Sequence, residues 1–212
     1  MPRLSRILAG TALALTGGAL AYYFVERRTP EPEYTVVSAE GDFELRDYPP
    51  LLVASIEHAG ERDKALNRGF GRLAEYIFAK DQGGEEIGMT APVLQDRNEK
   101  IGMTAPVLQD GGSGEGFWRT RFVMPARYTR ETLPSPPGDI TIEVVPARRV
   151  AALSFSGSPD SANLSQRESE LRSQLARRGI QPAGEAEYAF YNSPFIPPFM
   201  RRNEILIPVE VS

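Results

Sequence analysis

The 212-residue sequence has no cysteine and a single histidine, His58. The lack of cysteine excludes disulfide frameworks, cysteine-ligated zinc, iron–sulfur clusters, thiolate-ligated heme and cysteine nucleophiles. One histidine excludes a histidine-rich metal site, and no GxSxG-like elbow accompanies it to build a serine triad. Acidic residues outnumber basic ones, and the resulting net charge of -4 argues against a general nucleic-acid binder.

The rest of the composition is ordinary for a folded protein. Hydrophobic residues make up 41% of the chain and charged residues 25%, which excludes a disordered chain. The length suits one globular domain with a short additional segment. Asp81, Glu85 and Glu86 form a charged stretch that we expect to be a solvated turn. Because no group of nucleophile, base and orienting residue can be drawn, we do not expect an enzyme.

The amino-terminal segment is distinct from the remainder. Residues 7–25 carry no charge, and as a helix they would extend roughly 28 Å, close to a bilayer core. We therefore predict a membrane anchor or signal segment over residues 1–28, a stiff polar linker over 29–33 and a folded domain over 34–212. A cleaved signal peptide is the alternative to an anchor, because residues 19–21 match an A-x-A cleavage pattern. Both interpretations place the protein at the cell envelope.

Hydrophobic periodicity and turn signals predict two β-β-α-β-β units, each with one helix. The strands are expected as a pair within 34–48, then at 51–57, 117–124, 140–145, 149–155, 188–191 and 204–211, with helices at 62–80 and 160–178. Residues 45–60 align without a gap on residues 142–157, and a helix follows each stretch. We therefore predict an α+β fold, either a sandwich or an open antiparallel barrel, with a cleft between like halves.

An internal repeat lies between the two units. The ten residues IGMTAPVLQD occur at 87–96 and again at 101–110, and we expect two strands joined by a polar turn at 97–100. Met89 and Met103 lie in the two copies, where thioether side chains more commonly fill the core than ligate iron. The repeat is therefore predicted to be structural.

Glycine is unusual inside the first predicted helix. Gly69 and Gly71 each cost a helix about 1 kcal/mol relative to alanine. A glycine at such a position indicates that another backbone or a flat ligand approaches closely.

Five segments, taken in order, resemble the SOUL/heme-binding protein family. They are GDFELRDYPPLLVAS, ALNRGFGRLAEYI, IGMTAPV, RFVMP and RRNEILIP. The resemblance extends over roughly residues 34–209 and implies a distorted antiparallel β-barrel built from two similar halves. It also implies non-enzymatic binding of heme or another tetrapyrrole, chiefly by apolar contact, for buffering, transport or delivery.

The resemblance implies a pocket between the first helix and the loop before the last strand. Together with Gly71 of the same helix, the candidate residues of this pocket are Asn67, Phe70, Ala74, Tyr191, Phe195 and Ile196. Some family members carry basic residues for the heme propionates where this chain has Asn67 and Glu75. His58 is the one candidate imidazole ligand, but it aligns with Phe155, which favours an ordinary strand position. We therefore expect heme without a firm axial protein ligand and no metal site.

Two other functions are left open by the sequence. The family is similar in fold to bacterial effector-binding domains that hold small, often cationic, aromatic molecules, and Glu75 would serve a cation if it points inward. Residues 193–199, SPFIPPF, are too rich in proline for a strand and carry aromatic side chains on a loop. If those side chains instead close the core, the domain is a structural envelope module without a ligand.

Overall fold

The structure is a computed structural model that describes residues 29–78, 87–88, 90–98, 116–192 and 196–211. Its strands are β1 (Thr35–Glu40), β2 (Phe43–Tyr48), β3 (Leu51–Gly60), β4 (Val93–Asn98), β5 (Gly116–Val123), β6 (Thr141–Val145), β7 (Arg148–Phe155), β8 (Glu187–Phe190) and β9 (Asn203–Pro208). Its helices are α1 (Arg62–Ile77) and α2 (Ser161–Arg178), and a 3-10 turn at Pro198–Met200 precedes β9.

The strands form a nine-stranded antiparallel sheet in the order β1-β2-β7-β9-β8-β4-β5-β3-β6. β2 of the first half pairs with β7 of the second, and β6 of the second half pairs with β3 of the first. Each half therefore contributes one strand that pairs with a strand of the other half. The end strands β1 and β6 are not neighbours in this order, so the predicted distorted barrel is confirmed and is open.

The two halves repeat each other in detail, as the alignment of residues 45–60 with 142–157 predicts. Gly60 at the end of β3 and Gly157 just after β7 both have a positive φ, of 111° and 117°. Trp118 Nε1 donates a hydrogen bond to the Gly60 carbonyl oxygen at 3.1 Å. Asn203 Nδ2 donates to the Gly157 carbonyl oxygen at 3.2 Å. The same turn is therefore closed in the same way in both halves.

Both helices pack on one face of the sheet, and a third apolar cluster fills the other. α1 lies against β3 and β5, and α2 lies against β7 and β9. The side chain of Asp160 caps α2 by accepting a hydrogen bond from the Asn163 amide at 3.0 Å. The third cluster consists of Tyr48, Val53, Leu94, Val123, Val150, Ala152, Ala189 and Leu206. Because side chains alternate along a strand, this cluster lies inside the open barrel.

The repeat departs from its prediction. β4 begins only at Val93 and continues through the first two residues of the predicted turn at 97–100. Pairing with β5 explains this, since it continues as far as Asn98, whereas pairing with β8 ends at Asp96. The second copy, residues 101–110, lies outside the described residues, as does Met89. The first predicted helix is seen to Ile77, and residues 79–80 are likewise outside the described part.

The predicted anchor or signal segment, residues 1–28, also lies outside the described residues. Among the residues that are described, neither helix combines the length and apolar character that crossing a membrane requires.

The two glycines of α1 have different surroundings. A Cβ atom added to Gly69 would lie 2.6 Å from Thr120 Oγ1 on β5 and 3.4 Å from Ile56 Cγ2 on β3. A Cβ added to Gly71 would meet nothing within 4 Å. Gly69 therefore lets α1 approach the sheet closely, whereas Gly71 faces open space.

We expect Gly69→Ala and Gly71→Ala to have opposite effects on stability. Gly69→Ala should lower the free energy of unfolding by about 1–3 kcal/mol, because the new methyl group overlaps Thr120. Gly71→Ala should raise it by about 0.5–1 kcal/mol through helix propensity alone. Urea denaturation of the two variants measures both effects, and equal stabilities would contradict the packing described for α1.

Candidate functional site

A cavity of about 770 Å³ lies at one end of the barrel and is lined mainly by residues of the second half of the chain. Its wall combines aromatic and cationic side chains, chiefly Phe155, Arg167, Tyr191, Phe199, Arg201 and Arg202. These residues come from the end of β7, from α2 and from the connection between β8 and β9. The volume lies within the range of small-molecule sites, roughly 300–1,000 Å³.

A buried carboxylate, Glu204 on β9, anchors this end of the barrel. Arg46 on β2 donates to it from Nη1 at 2.7 Å and from Nη2 at 3.1 Å. Ser154 Oγ donates to the same carboxylate at 2.9 Å. Burial alone would raise the pKa of Glu204, but the hydrogen bond and charge of Arg46 outweigh burial and lower it. Glu204 is therefore a fixed negative charge whose lone pairs are already engaged.

Tyr191 is the predicted site residue that connects Glu204 to the cavity. Its hydroxyl donates to Glu204 Oε2 at 2.7 Å, and the Arg202 guanidinium lies 3.7 Å from the centre of its ring. Burial and the negative charge of Glu204 raise the pKa of Tyr191 well above its ordinary value. Tyr191 therefore remains protonated, and its orientation is fixed at both the hydroxyl and the ring face.

The cavity wall carries more positive than negative charge. Arg167 lies 5.7 Å from the centre of the Phe155 ring and pairs with Glu170 at 2.9 Å. Arg202 pairs with Glu31 at 3.0 Å and with Glu204 at 3.2 Å. Three arginines and two acids, Glu31 and Asp42, line the cavity. The excess of guanidinium groups favours an anionic ligand.

The predicted residues of α1 lie elsewhere, since none of them lines the cavity. Phe70 is 37% exposed and meets Phe122 edge-on, with ring centres 5.3 Å apart. Asn67 and Gly71 are exposed, and Ala74 packs partly against the core under α1. The structure thus does not bring α1 and the β8–β9 connection into one pocket among the described residues.

The other two predicted site residues, Ile196 and Phe195, belong to the loop before β9. Ile196 is buried, and its carbonyl oxygen accepts a hydrogen bond from Arg201 Nε at 2.6 Å. It therefore positions the cavity wall without lining it. Phe195 lies outside the described residues.

Neither His58 nor Glu75 lines the cavity. His58 is half-buried on β3 opposite Trp118 and does not line the cavity. Burial, together with the charge of Arg68, lowers its pKa. Glu75 is exposed and pairs with Arg72 at 3.3 Å, so it does not point inward toward a cation. Within the described ranges, no group of three or more metal-ligating side chains occurs.

Arg46, Ser154, Glu204 and Arg202 were missed as site residues by the sequence reasoning. A signal was present in the alternation of β9, where Glu204 shares a face with the buried Leu206. A charged residue at an inward position of a buried strand indicates an ion pair or a site.

A second buried ionic network lies on the same inner face. Asp96 on β4 stands opposite Glu187 on β8, and Arg121 Nη2 approaches these carboxylates at 3.2 Å and 3.1 Å. Arg148 donates to both oxygens of Glu187, at 2.5 Å and 2.7 Å. Burial would raise the pKa of Glu187, but Arg148 and Arg121 outweigh it and lower the pKa to about 2. The carboxylate therefore stabilises the fold only while it is ionised.

We expect Glu187→Gln to lower the free energy of unfolding at pH 7 by about 3–5 kcal/mol, because it leaves the largely buried Arg148 without its counter-charge and leaves Arg121 with Asp96 alone. In the parent, this contribution is fully present above the ordinary glutamate pKa of 4.5 and is lost as the pH falls toward 2. The variant should lose less stability than the parent between pH 5 and pH 3 in urea denaturation.

The matched control is Glu185→Gln. Glu185 is 75% exposed and pairs with Arg172 at 3.6 Å, so its loss should change stability by less than about 0.5 kcal/mol. A Glu187 variant no less stable than this control would show that the network contributes nothing.

Solved structures share this fold at low sequence identity. The C-terminal domain of EcmrR aligns with 84% of this chain and 99% of its own, with a TM-score of 0.57 and 14% identity. A hydrolase from Listeria innocua aligns with 82% of this chain and 94% of its own, with a TM-score of 0.54 and 10% identity. At such identities the likeness concerns the fold alone.

Comparison of the sequence with protein families is more specific than comparison of the fold. No curated protein matches the chain. The profile of the family described as SOUL heme-binding protein matches residues 29–208, which include every described strand and both described helices. The chain therefore belongs to the SOUL heme-binding protein family.

Proposed function

We propose that this protein binds heme or another tetrapyrrole without catalysing a reaction, and that the ligand occupies the cavity beside Tyr191. Buffering, transport or delivery of the ligand at the cell envelope would be its role. Family membership supports the ligand class. The observation that carries the choice of site is a cavity of about 770 Å³ with aromatic side chains and three arginines in its wall.

The cavity fits such a ligand in size and in charge. A tetrapyrrole is a flat apolar ring with carboxylate arms, and burying apolar surface contributes roughly 25 cal/mol per Å². Phe155, Tyr191 and Phe199 offer aromatic surface for the ring. Arg167 and Arg202 offer guanidinium groups for the carboxylates. This pairing would supply the propionate contacts that Asn67 and Glu75 cannot supply on α1.

We propose that no imidazole of the protein coordinates the iron. The single histidine of the chain, His58, does not line the cavity. Holding the ring by apolar contact and by its carboxylates is consistent with reversible loading and release. A tetrapyrrole without iron would then bind by the same contacts.

A cationic aromatic ligand is less well supported. Glu204 already accepts hydrogen bonds from Arg46, Ser154 and Tyr191. Glu31 pairs with Arg202, and Glu75 points to solvent. A cation entering the cavity would meet Asp42 but also the three arginines of the wall.

The amino-terminal sequence supports a location at the membrane. We propose that the uncharged run at residues 7–25 holds the protein at the membrane, either permanently or until cleavage.

A hemin titration followed by absorbance tests the ligand and the site together. Phe199→Asp and Arg167→Gln should each weaken binding by about tenfold, because each removes a contact in the cavity wall. Phe70→Asp is the matched control on α1, and His58→Ala tests iron ligation. Both controls should leave the affinity unchanged.

The opposite pattern would be decisive. Binding lost in Phe70→Asp but retained in Phe199→Asp would place the ligand on α1. Binding lost in His58→Ala would require histidine ligation. No saturable binding by the parent protein would contradict the proposed function.

Glu31 competes with the ligand carboxylates for Arg202. Glu31→Gln should therefore raise the affinity for hemin by about two- to fivefold, the range expected for an exposed ion pair. Glu33→Gln, two residues away and outside the cavity wall, is the control and should have no effect. Isothermal titration calorimetry with hemin measures the affinity of both variants. Unchanged or weaker binding by Glu31→Gln would show that Glu31 does not compete with the ligand for Arg202.

A further inference from the structure

The chain enters the folded domain at the rim of the cavity. The Ala91 amide donates to the Pro30 carbonyl oxygen at 3.0 Å. One residue later, Glu31 lines the cavity and pairs with Arg202 at 3.0 Å. The segment expected to be a stiff polar linker is therefore fixed to the domain at this point.

The uncharged run ends close by. Only residues 26–29 separate residue 25 from Pro30, and five residue steps extend at most about 18 Å. If residues 7–25 occupy a bilayer, the cavity rim must lie within this distance of the membrane surface. The position of the rim relative to the membrane is therefore constrained by the length of chain alone.

The same rim exposes an aromatic side chain. Phe199 lines the cavity and is 77% exposed, although the turn that carries it is held by hydrogen bonds. The Gly157 amide donates to the Pro198 carbonyl oxygen at 2.9 Å, and the Met200 amide donates to the Pro197 carbonyl oxygen at 2.9 Å. A phenylalanine held in water on a fixed turn is suited to a lipid interface, where aromatic rings gather.

We propose that the Pro198–Met200 turn rests in the surface of the bilayer that holds residues 7–25, so that the cavity opens toward lipid. Arg201 and Arg202 follow the turn directly and would lie near the headgroups, where anionic lipids attract arginine. An apolar ligand would then pass between bilayer and cavity without crossing bulk water. This inference rests on the proposed membrane location but not on the identity of the ligand.

The lack of native cysteine permits a direct test on the full chain. An environment-sensitive fluorophore is attached to the Phe199→Cys variant. The same label on Val144→Cys is the control, because Val144 is 56% exposed and lies on the edge strand β6. Both are reconstituted into phosphatidylcholine–phosphatidylglycerol vesicles with and without spin-labelled quencher lipids. Quenching of at least about twofold is expected at position 199 and none at position 144, because only the former would sit at the interface.

Flotation of the vesicles separates the possible failures. Protein that floats with the vesicles but shows no quenching at position 199, or equal quenching at both positions, overturns the inference and leaves the membrane location standing. Protein that does not float overturns both. The hemin titration in detergent tests the ligand independently of either result.

Discussion

The ion pair between Arg46 and Glu204 is the constraint on which the rest of the site depends. It joins β2 of the first half to β9 of the second, inside the barrel and out of water. Such a pair contributes little net stability compared with well-packed apolar residues, but removing one partner leaves an uncompensated buried charge. Its value here is positional, because Glu204 also fixes Tyr191 and Ser154 and so sets the shape of the cavity floor.

Strand exchange makes this cross-half pairing possible. Because β2 lies beside β7, and β7 beside β9, an inward residue of β2 reaches an inward residue of β9. The duplicated scaffold places Glu143 where Arg46 stands and Arg119 where Glu204 stands. The charges are thus reversed at the opposite end of the barrel, and Arg119 there pairs with Asp96. The two ends therefore share a backbone plan but differ in chemistry, and the tyrosine and the arginines that line the cavity all come from the second half.

Much of the fold could be predicted from the sequence, because the signals were local. The periodicity at residues 160–178 predicts the observed helix α2, and the internal alignment predicts the matching turns at Gly60 and Gly157. The strand exchange could not be predicted, since pairing between distant strands leaves no local pattern. The course of β4 was predicted wrongly for the same reason, because pairing with β5 extends it into the first two residues of the turn that the repeat suggested.

Less of the candidate site than of the fold could be predicted from the sequence. Tyr191 was identified through the family resemblance and does line the cavity, whereas the α1 residues point elsewhere. The buried charges escaped notice because arginine and glutamate are normally read as surface residues, and only their register on inward strand positions reveals them. Gly69 shows the limit of residue type as a signal, since it and Gly71 look equivalent in sequence but only Gly69 contacts the sheet.

The most direct test of the central claim is an NMR comparison of the protein with paramagnetic hemin and with a diamagnetic zinc porphyrin. If the tetrapyrrole sits on the floor set by Arg46 and Glu204, iron-dependent broadening should centre on the amides of Tyr191, Asn192 and Arg202 and spare those of Asn67 to Ala74. Broadening centred on α1, or spread evenly over the surface, would contradict the account.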